Sequence, residues 1–291
     1  MSSPTFLPPK LPPELEREIF ELAAQSDPLS VLQLMLVAWR IHDWVKPLLY
    51  RVVLLQGQFV LKKVSSYPWE SSSRYTSISL SILQQSVKHL YIQMAPSNVT
   101  EHVLSAASGV ENLWVRTMLE ESSEGRLVAA LPNVRRLHCN YSLILDALDV
   151  ETTPPAFSRL THLEIFGEVD PDIWEELALI PNLTHLAVDD GWVDGPLLLD
   201  LLDRFKSLHV LIMLCWPDRP TLDLDDEGMH QLVKDPRFVR TACLDRMADW
   251  KSGALTGVDY WSRADDFLAR RRAGDINALR YFIEHDAAFS N

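Results

Sequence analysis

Imidazole and carboxylate side chains recur along the middle of this 291-residue chain at a spacing that could bring them together. His162 and His185 occupy the same position in two successive strand patterns, so adjacent strands would place them about 5 Å apart. A metal ion would need a third ligand, for which Glu164 or Asp189 is conceivable. A repeated unit explains the histidines more simply, so no metal or cofactor is predicted. Close imidazoles could still lower each other's pKa and form a weakly pH-sensitive patch.

Two other charged motifs have simpler interpretations than a functional site. DLDDEG at 223–228 resembles the start of an EF-hand loop, but the twelfth position would be Lys234, which cannot supply a bidentate carboxylate. It is therefore interpreted as a solvated acidic loop. RRR at 270–272 is interpreted as a helix face or a counter-charge for acidic repeats. The sequence contains no GxGxxG, GxxxxGK[ST], GxSxG or HExxH motif, so a protein that is not an enzyme is expected.

Composition restricts the partners and the compartment. A formal charge of −13 disfavours nucleic acid and anionic membrane as partners, and a hydrophobic fraction of 47% indicates a folded chain. Cys139, Cys215 and Cys243 form no CxxC pair and are interpreted as buried reduced thiols. The N-terminal segment lacks the pattern of a signal peptide, and the apolar stretches are too short to span a bilayer. The expectation is a soluble protein of the cytoplasm and/or nucleus.

The elements that would position these side chains follow a repeated L-x-x-L-x-L pattern. It begins at residues 87, 110, 134, 160, 183 and 208, so the steps are 23, 24, 26, 23 and 25 residues. Such a period is typical of stacked leucine-rich units. Helix candidates at 98–108, 170–180 and 194–205 lie between the strands, which predicts a parallel sheet with right-handed crossovers. The usual ladder of asparagines is missing, so the repeats are expected to be irregular.

The predicted fold class is α/β, in three parts. Residues 1–50 form three helices, in which SVLQLMLVAW is read as one helix and Pro47 breaks the next. Residues 51–237 form the solenoid, with a first strand at RVVLL. Residues 238–291 form a strand and helix cap whose aromatic side chains close the open end of the solenoid. The strand HVLIMLCW is apolar throughout, which implies cover on both faces.

Strand alternation predicts which repeat residues face outward. If Leu90 and Ile92 point into the core, their neighbours form a concave outer face. Trp114 on that face is of a type that dominates binding energy at interfaces, although cover by the tail or a loop would also explain it. The predicted substrate-binding residues on this face are Tyr91, Trp114, Arg116, Arg136, His138, His162, Glu164, Phe166 and His185.

The block from Leu11 to Tyr50 resembles an F-box: L-P-x-E-L stands at 11–15, and a Pro-x-L-Y ending at 47–50. The whole chain is similar to F-box-like proteins of mushroom-forming fungi, including their tail, here at 235–274. The resemblance implies a three-helix F-box that docks on the Skp-type adaptor of a cullin ubiquitin ligase. The adaptor-binding residues it implies are Leu11, Pro12, Leu15, Ile19, Leu32 and Val37. The alternative is that these side chains pack the helices against the repeats.

The expected function is a substrate-recognition subunit of an SCF-type cullin-RING ubiquitin ligase. Its partners would be the Skp-type adaptor, the cullin scaffold and a protein substrate held on the concave repeat face. A scaffold for protein interactions without ligase coupling is the main alternative. A small-molecule binder or enzyme built on the solenoid is the third.

Overall fold

The structure is a computed structural model that describes residues 11–27, 30–56, 60–63, 80–116, 124–148, 156–168, 173–216, 222 and 226–284. The helices are α1 (Pro13–Ser26), α2 (Val31–Leu34), α3 (Trp39–Val45), a 3₁₀ helix (Lys46–Tyr50), α4 (Leu80–Ser86), α5 (Ser97–Ala106), α6 (Glu124–Ala129), α7 (Tyr141–Leu148), α8 (Ile173–Leu177), α9 (Gly195–Arg204), α10 (Glu227–Leu232), α11 (Arg246–Thr256) and α12 (Tyr260–Ala273). The strands are β1 (Val52–Gln56), β2 (Val60–Lys63), β3 (His89–Gln93), β4 (Asn112–Arg116), β5 (Arg136–Asn140), β6 (His162–Phe166), β7 (His185–Asp189), β8 (Val210–Cys215), β9 (Phe238–Ala242) and β10 (Phe282–Ile283).

All the described strands belong to one sheet, in the order β10-β9-β8-β7-β6-β5-β4-β3-β1-β2. Each neighbouring pair is parallel except β1 and β2, which pair antiparallel at one edge. Consecutive repeat strands are therefore spatial neighbours, as in a solenoid. The α/β class and the parallel sheet predicted from the repeat are confirmed.

The predicted register of the repeat strands is confirmed as well. Leu90 and Ile92 of β3, and the residues equivalent to them on the following strands, are buried in one cluster with the helices between the strands. Their neighbours form a row across the opposite face: Leu54, Tyr91, Trp114, His138, Glu164, Ala187, Ile212 and Val239. We call this set the central row. The three cysteines are buried and form no disulfide, as predicted.

The N-terminal helices have a small core of their own. Ala24, Val31, Ile41, Val45 and Leu49 are buried together, apart from the core of the repeats. The prediction of one continuous helix over residues 30–39 was wrong. The chain forms only Val31–Leu34, turns at 35–37 and begins α3 at Trp39. A helix apolar on all sides would need cover all round, and this small core covers one side only.

The C-terminal tail forms the end strands of the sheet, but its aromatic side chains do not close the open end of the solenoid as we expected. Its strands β9 and β10 extend the sheet beyond β8, so β8 is an inner strand, buried along its whole length. Helices α11 and α12 lie over the sheet face opposite the repeat helices. Trp250 of α11 packs with Tyr91 and Trp114, and Trp261 of α12 packs with Ile212 and its neighbours. The aromatic side chains of the tail therefore cover a sheet face.

Local sequence signals explain why the tail forms two helices. Asp245 accepts a hydrogen bond from the Ala248 amide at 2.9 Å and begins α11, which ends at Gly257 with a φ of 79°. Asp259 and Ser262 form a capping box at the start of α12. Among the helices that the structure describes, none is both long and apolar enough to cross a bilayer.

Gly253 in the middle of α11 is expected to tolerate no larger side chain. A Cβ at this position would overlap the carboxylate of Asp259, which begins α12 and pairs with Arg136 at 2.8 Å. Gly253→Ala is expected to lower the free energy of unfolding by about 2 kcal/mol, measured in urea, because displacing a cap and overpacking outweigh the higher helix propensity of alanine. Gly191→Ala, where a Cβ meets nothing within 4 Å, is the control. Equal stability of both variants and the parent would contradict this account.

Candidate functional site

Most of the predicted substrate-binding face lies under the tail, so its prediction as an open surface was wrong. Tyr91, Trp114, His138, Glu164 and Phe166 are buried. The remaining predicted residues of the face are held by side chains of α12 and its cap. Arg136 pairs with Asp259, His162 packs edge-on against Trp261 at 5.1 Å between ring centroids, and His185 lies 3.0 Å from the Asp265 carboxylate. Only Arg116 of the predicted set is exposed.

A buried polar network around Glu164 holds the tail on the sheet. One carboxylate oxygen lies 2.6 Å from His138 Nδ1 and accepts a hydrogen bond from the Tyr260 hydroxyl at 2.9 Å. The other accepts one from Arg246 at 2.6 Å, and Arg246 also pairs with Asp189. Burial alone would raise the pKa of Glu164, but the Arg246 guanidinium and these hydrogen bonds hold it below its usual value. The network therefore fixes the tail to the sheet, and two of its members, His138 and Glu164, are residues that were predicted to bind substrate.

The adjacent histidines are stacked, as their equivalent positions predicted. The rings of His162 and His185 are 4.0 Å apart and nearly parallel. Burial lowers the pKa of His162 to about 2, with a smaller contribution from His185. His162 is therefore neutral at physiological pH and does not form the pH-sensitive patch that we expected. Within the described ranges, no group of three or more His, Cys, Asp or Glu side chains is arranged to hold a metal ion.

A cavity of about 720 Å³ lies where the chain leaves the carboxyl ends of the middle strands. Carboxyl ends of parallel strands are common positions for ligand sites. Trp114, Arg116 and Phe166 line it, so these three predicted residues remain candidates for binding. We call it the carboxyl-edge cavity; its lining also includes Asn140, Tyr141, Ser142, Gly167, Glu168, Asp189, Trp192, Trp216, Cys243, Leu244 and Arg246.

The carboxyl-edge cavity combines aromatic surface with polar groups that have no partner within the described part of the chain. Trp114 stacks on Phe166 at 5.1 Å, and the Arg116 guanidinium lies 5.9 Å from the Phe166 ring centroid. Trp114 Nε1 and Asn140 Oδ1 are buried and make no hydrogen bond to any described residue. Trp192 and Trp216 are 51% and 66% exposed. Aromatic side chains and arginine are the types that contribute most to binding energy at interfaces.

Trp192, Trp216, Leu244 and Arg246 were missed as site residues. The sequence contained one usable signal for Trp216, which directly follows an apolar strand and so belongs at the carboxyl edge of the sheet. Arg246 carried no such signal. Its role depends on the tail crossing the sheet, which brings it to Glu164 from 82 residues away.

A second candidate surface lies on the N-terminal helices. Leu15, Ile19 and Leu22 face solvent along α1, and Leu11 is exposed just before this helix, whereas Ala24 of α1 is buried. The exposed fractions of Leu15 and Ile19 are 49% and 52%, and Trp39 reaches 77%. We call this set the N-terminal apolar face: Leu11, Pro12, Leu15, Ile19, Leu22, Leu32, Leu36, Val37 and Trp39.

All six predicted adaptor-binding residues belong to the N-terminal apolar face and are exposed in the described structure. The alternative, that they pack the helices against the repeats, is therefore wrong. The helices are held together by other means. Glu16 of α1 accepts hydrogen bonds from Arg40 of α3 at 2.6 and 2.9 Å, and the small core lies beneath.

A comparison of the chain with models of known protein families and with curated proteins gave no match.

Proposed function

We propose that this chain is the substrate-recognition subunit of an SCF-type cullin-RING ubiquitin ligase. The N-terminal apolar face would dock on a Skp-type adaptor, and the adaptor would join the chain to the cullin scaffold. The observation that carries the proposal is the exposure of all six residues at which the F-box resemblance places adaptor contacts. Three buried cysteines that form no disulfide are compatible with a reducing compartment such as the cytoplasm or nucleus.

The physical support is the arrangement of these side chains. Large apolar residues that are exposed together are typical of a surface that binds another protein. The stripe on α1 has the i, i+4, i+7 spacing of a helix that presents one apolar face to a partner. Glu16 and Arg40 hold α1 against α3 before any partner arrives, so little ordering would be required on binding.

The substrate would bind at the carboxyl-edge cavity. Its aromatic lining and the exposed Arg116 offer contacts for an apolar side chain and for adjacent backbone carbonyl groups of a bound segment. The subunit needs no catalytic group of its own for this function. Holding a substrate near the transferase raises its effective concentration there, and this increases the rate of transfer.

The test of the ligase proposal is direct binding of the full chain to a purified Skp-type adaptor, measured by calorimetry. We expect a one-to-one complex of submicromolar affinity that recruits the cullin scaffold. The absence of binding at about 50 µM adaptor would contradict ligase coupling and favour a scaffold role.

Substitution in the carboxyl-edge cavity is expected to reduce substrate capture. Trp192→Ala combined with Trp216→Ala removes two exposed rings, each of a type that contributes about 2 kcal/mol or more at interface hot spots. Crosslinking and mass spectrometry of the captured proteins, with and without the substitutions, is the measurement. Trp39→Ala removes a ring that is 77% exposed from the N-terminal apolar face and should leave capture of proteins other than the adaptor unchanged. Equal loss with Trp39→Ala would place the substrate elsewhere.

A further inference from the structure

A second cavity, of about 300 Å³, lies where the N-terminal helices, the start of the sheet and the tail meet. None of its lining residues belongs to the carboxyl-edge cavity or to the N-terminal apolar face. We call it the junction cavity. It is lined by Ala24, Gln25, Val31, Leu48, Leu49, Arg51, Val52, His89, Gly253, Ala254, Leu255 and Gly257.

Arg51 and His89, which line the junction cavity, each have one buried nitrogen atom with no partner among the described residues. Arg51 Nε and His89 Nδ1 make no hydrogen bond to any described residue. No carboxylate of the described residues pairs with Arg51, although the chain as a whole carries a charge of −13. A buried donor left without an acceptor costs about 1–3 kcal/mol, and more when it carries charge. The arrangement therefore favours a bound group that supplies acceptor oxygens and negative charge.

His89 can act as a neutral donor beside Arg51. Burial, with a smaller contribution from the neighbouring Arg51 guanidinium, lowers the pKa of His89 to about 4. The imidazole is therefore uncharged at neutral pH and can present an N–H toward an anion. Arginine offers a planar pair of N–H donors that matches the oxygens of a carboxylate or a phosphate.

Apart from Gln25 and two glycines, the rest of the lining is aliphatic. Alanine, valine and leucine side chains from the N-terminal helices, β1 and α11 form the walls, and no aromatic ring is among them apart from His89. The volume corresponds to about ten water molecules at some 30 Å³ each, enough for an anionic head group and a short hydrocarbon chain. A mostly apolar pocket with a few convergent polar groups is typical of a small-molecule site.

We propose that the junction cavity binds a small organic anion, with its acidic head group on Arg51 and His89 and its aliphatic chain against the leucine and valine walls. Because three parts of the fold supply the walls, such a ligand would hold the N-terminal helices to the sheet and to α11. A ligand that binds only the assembled cavity stabilises the assembled state in proportion to its concentration.

The test uses the full chain and four probes: hexanoate, hexyl phosphate, the neutral hexanamide, and inorganic phosphate. We expect hexanoate or hexyl phosphate to bind saturably and raise the Tm, and to bind at least tenfold more tightly than hexanamide and inorganic phosphate. The comparison of hexanoate with hexyl phosphate tells which acidic group is preferred. Failure of both acids to exceed hexanamide would overturn the proposal, and equal binding of inorganic phosphate would overturn the role of the aliphatic walls.

Three variants assign the binding to this cavity. Arg51→Leu should weaken it at least tenfold. Gln25→Trp should also weaken it, because Gln25 is an exposed residue of the lining whose enlargement fills the cavity without disturbing the core. Arg270→Leu, an exposed arginine on α12, should leave it unchanged. Undiminished binding by a folded Gln25→Trp variant would place the ligand elsewhere.

Discussion

Replacing Leu15 and Ile19 together with aspartate is expected to abolish binding of the Skp-type adaptor and to leave the chain folded. Both side chains are about half exposed, so they contribute little to the core of the N-terminal helices. Burying two such side chains in an interface contributes about 3–6 kcal/mol, so their loss should weaken binding by roughly 100-fold or more. Calorimetry with purified adaptor measures the affinity, and urea unfolding verifies that stability is kept.

Two further variants separate the loss of apolar contact from other effects. Leu15→Ser with Ile19→Ser removes the same contacts without adding to the negative charge of Glu14 and Glu16, and it should weaken binding nearly as much. Leu179→Asp with Leu279→Asp changes two exposed leucines in the repeats and the tail and should change nothing. Full adaptor affinity in the serine variant would show that the N-terminal apolar face is not the docking surface.

Replacing Glu164 with glutamine is expected to have the largest effect on stability. It keeps the shape of the side chain but leaves Arg246 and the Tyr260 hydroxyl with a neutral, weaker partner in a buried network. Removing one member of a buried ion pair costs about 3–5 kcal/mol, so urea unfolding should show a loss of that order. Glu175→Gln, in an exposed pair with Arg204, should cost under about 1 kcal/mol.

The loss in Glu164→Gln is expected to depend on pH in a defined direction. Because the folded pKa of Glu164 is below its usual value of 4.5, its charge stabilises the fold above that pH. The difference in unfolding free energy between the parent and the variant should therefore be constant near neutrality and shrink as the pH falls below about 4.5. A difference that does not change between pH 7 and pH 3 would show that the Glu164 charge does not stabilise the fold. Faster amide exchange in α11 and α12 of the variant would locate the effect in the tail.

The repeat strands could be predicted because their signal is local. Leu90 and Ile92 alternate with outward residues within five positions, and the same pattern recurs in each unit, so strand, register and sheet order follow. The helix at 30–39 could not be bounded this way, because an apolar run does not reveal where a turn interrupts it. The spacing of Leu15 and Ile19 predicted an apolar stripe on α1. Periodicity alone does not tell whether that stripe is buried, and in the structure it is exposed while Ala24 is buried.

The position of the tail could not be predicted because it depends on distant contacts. Trp250 Nε1 donates a hydrogen bond to Asn112 Oδ1, which lies 138 residues away in the chain. Neither residue belongs to a sequence pattern that predicts this contact. The aromatic composition of the tail indicated that it covers something apolar. It did not indicate whether the tail covers the end of the solenoid or a face of the sheet. Because the tail covers the face, the candidate binding site lies at the carboxyl edge of the sheet.

The tail that covers the central row is made after the repeat strands that it covers. Until α11 and α12 have left the ribosome, Tyr91, Trp114 and Ile212 have no cover from them, and such surfaces attract chaperones and other unfinished chains. A chain terminated before Tyr260 would lack the Tyr260 hydroxyl, which donates to Glu164. It would also lack the Trp261 ring, which packs with Ile212. The uncovered face therefore marks chains in which α11 and α12 have not yet packed on the sheet.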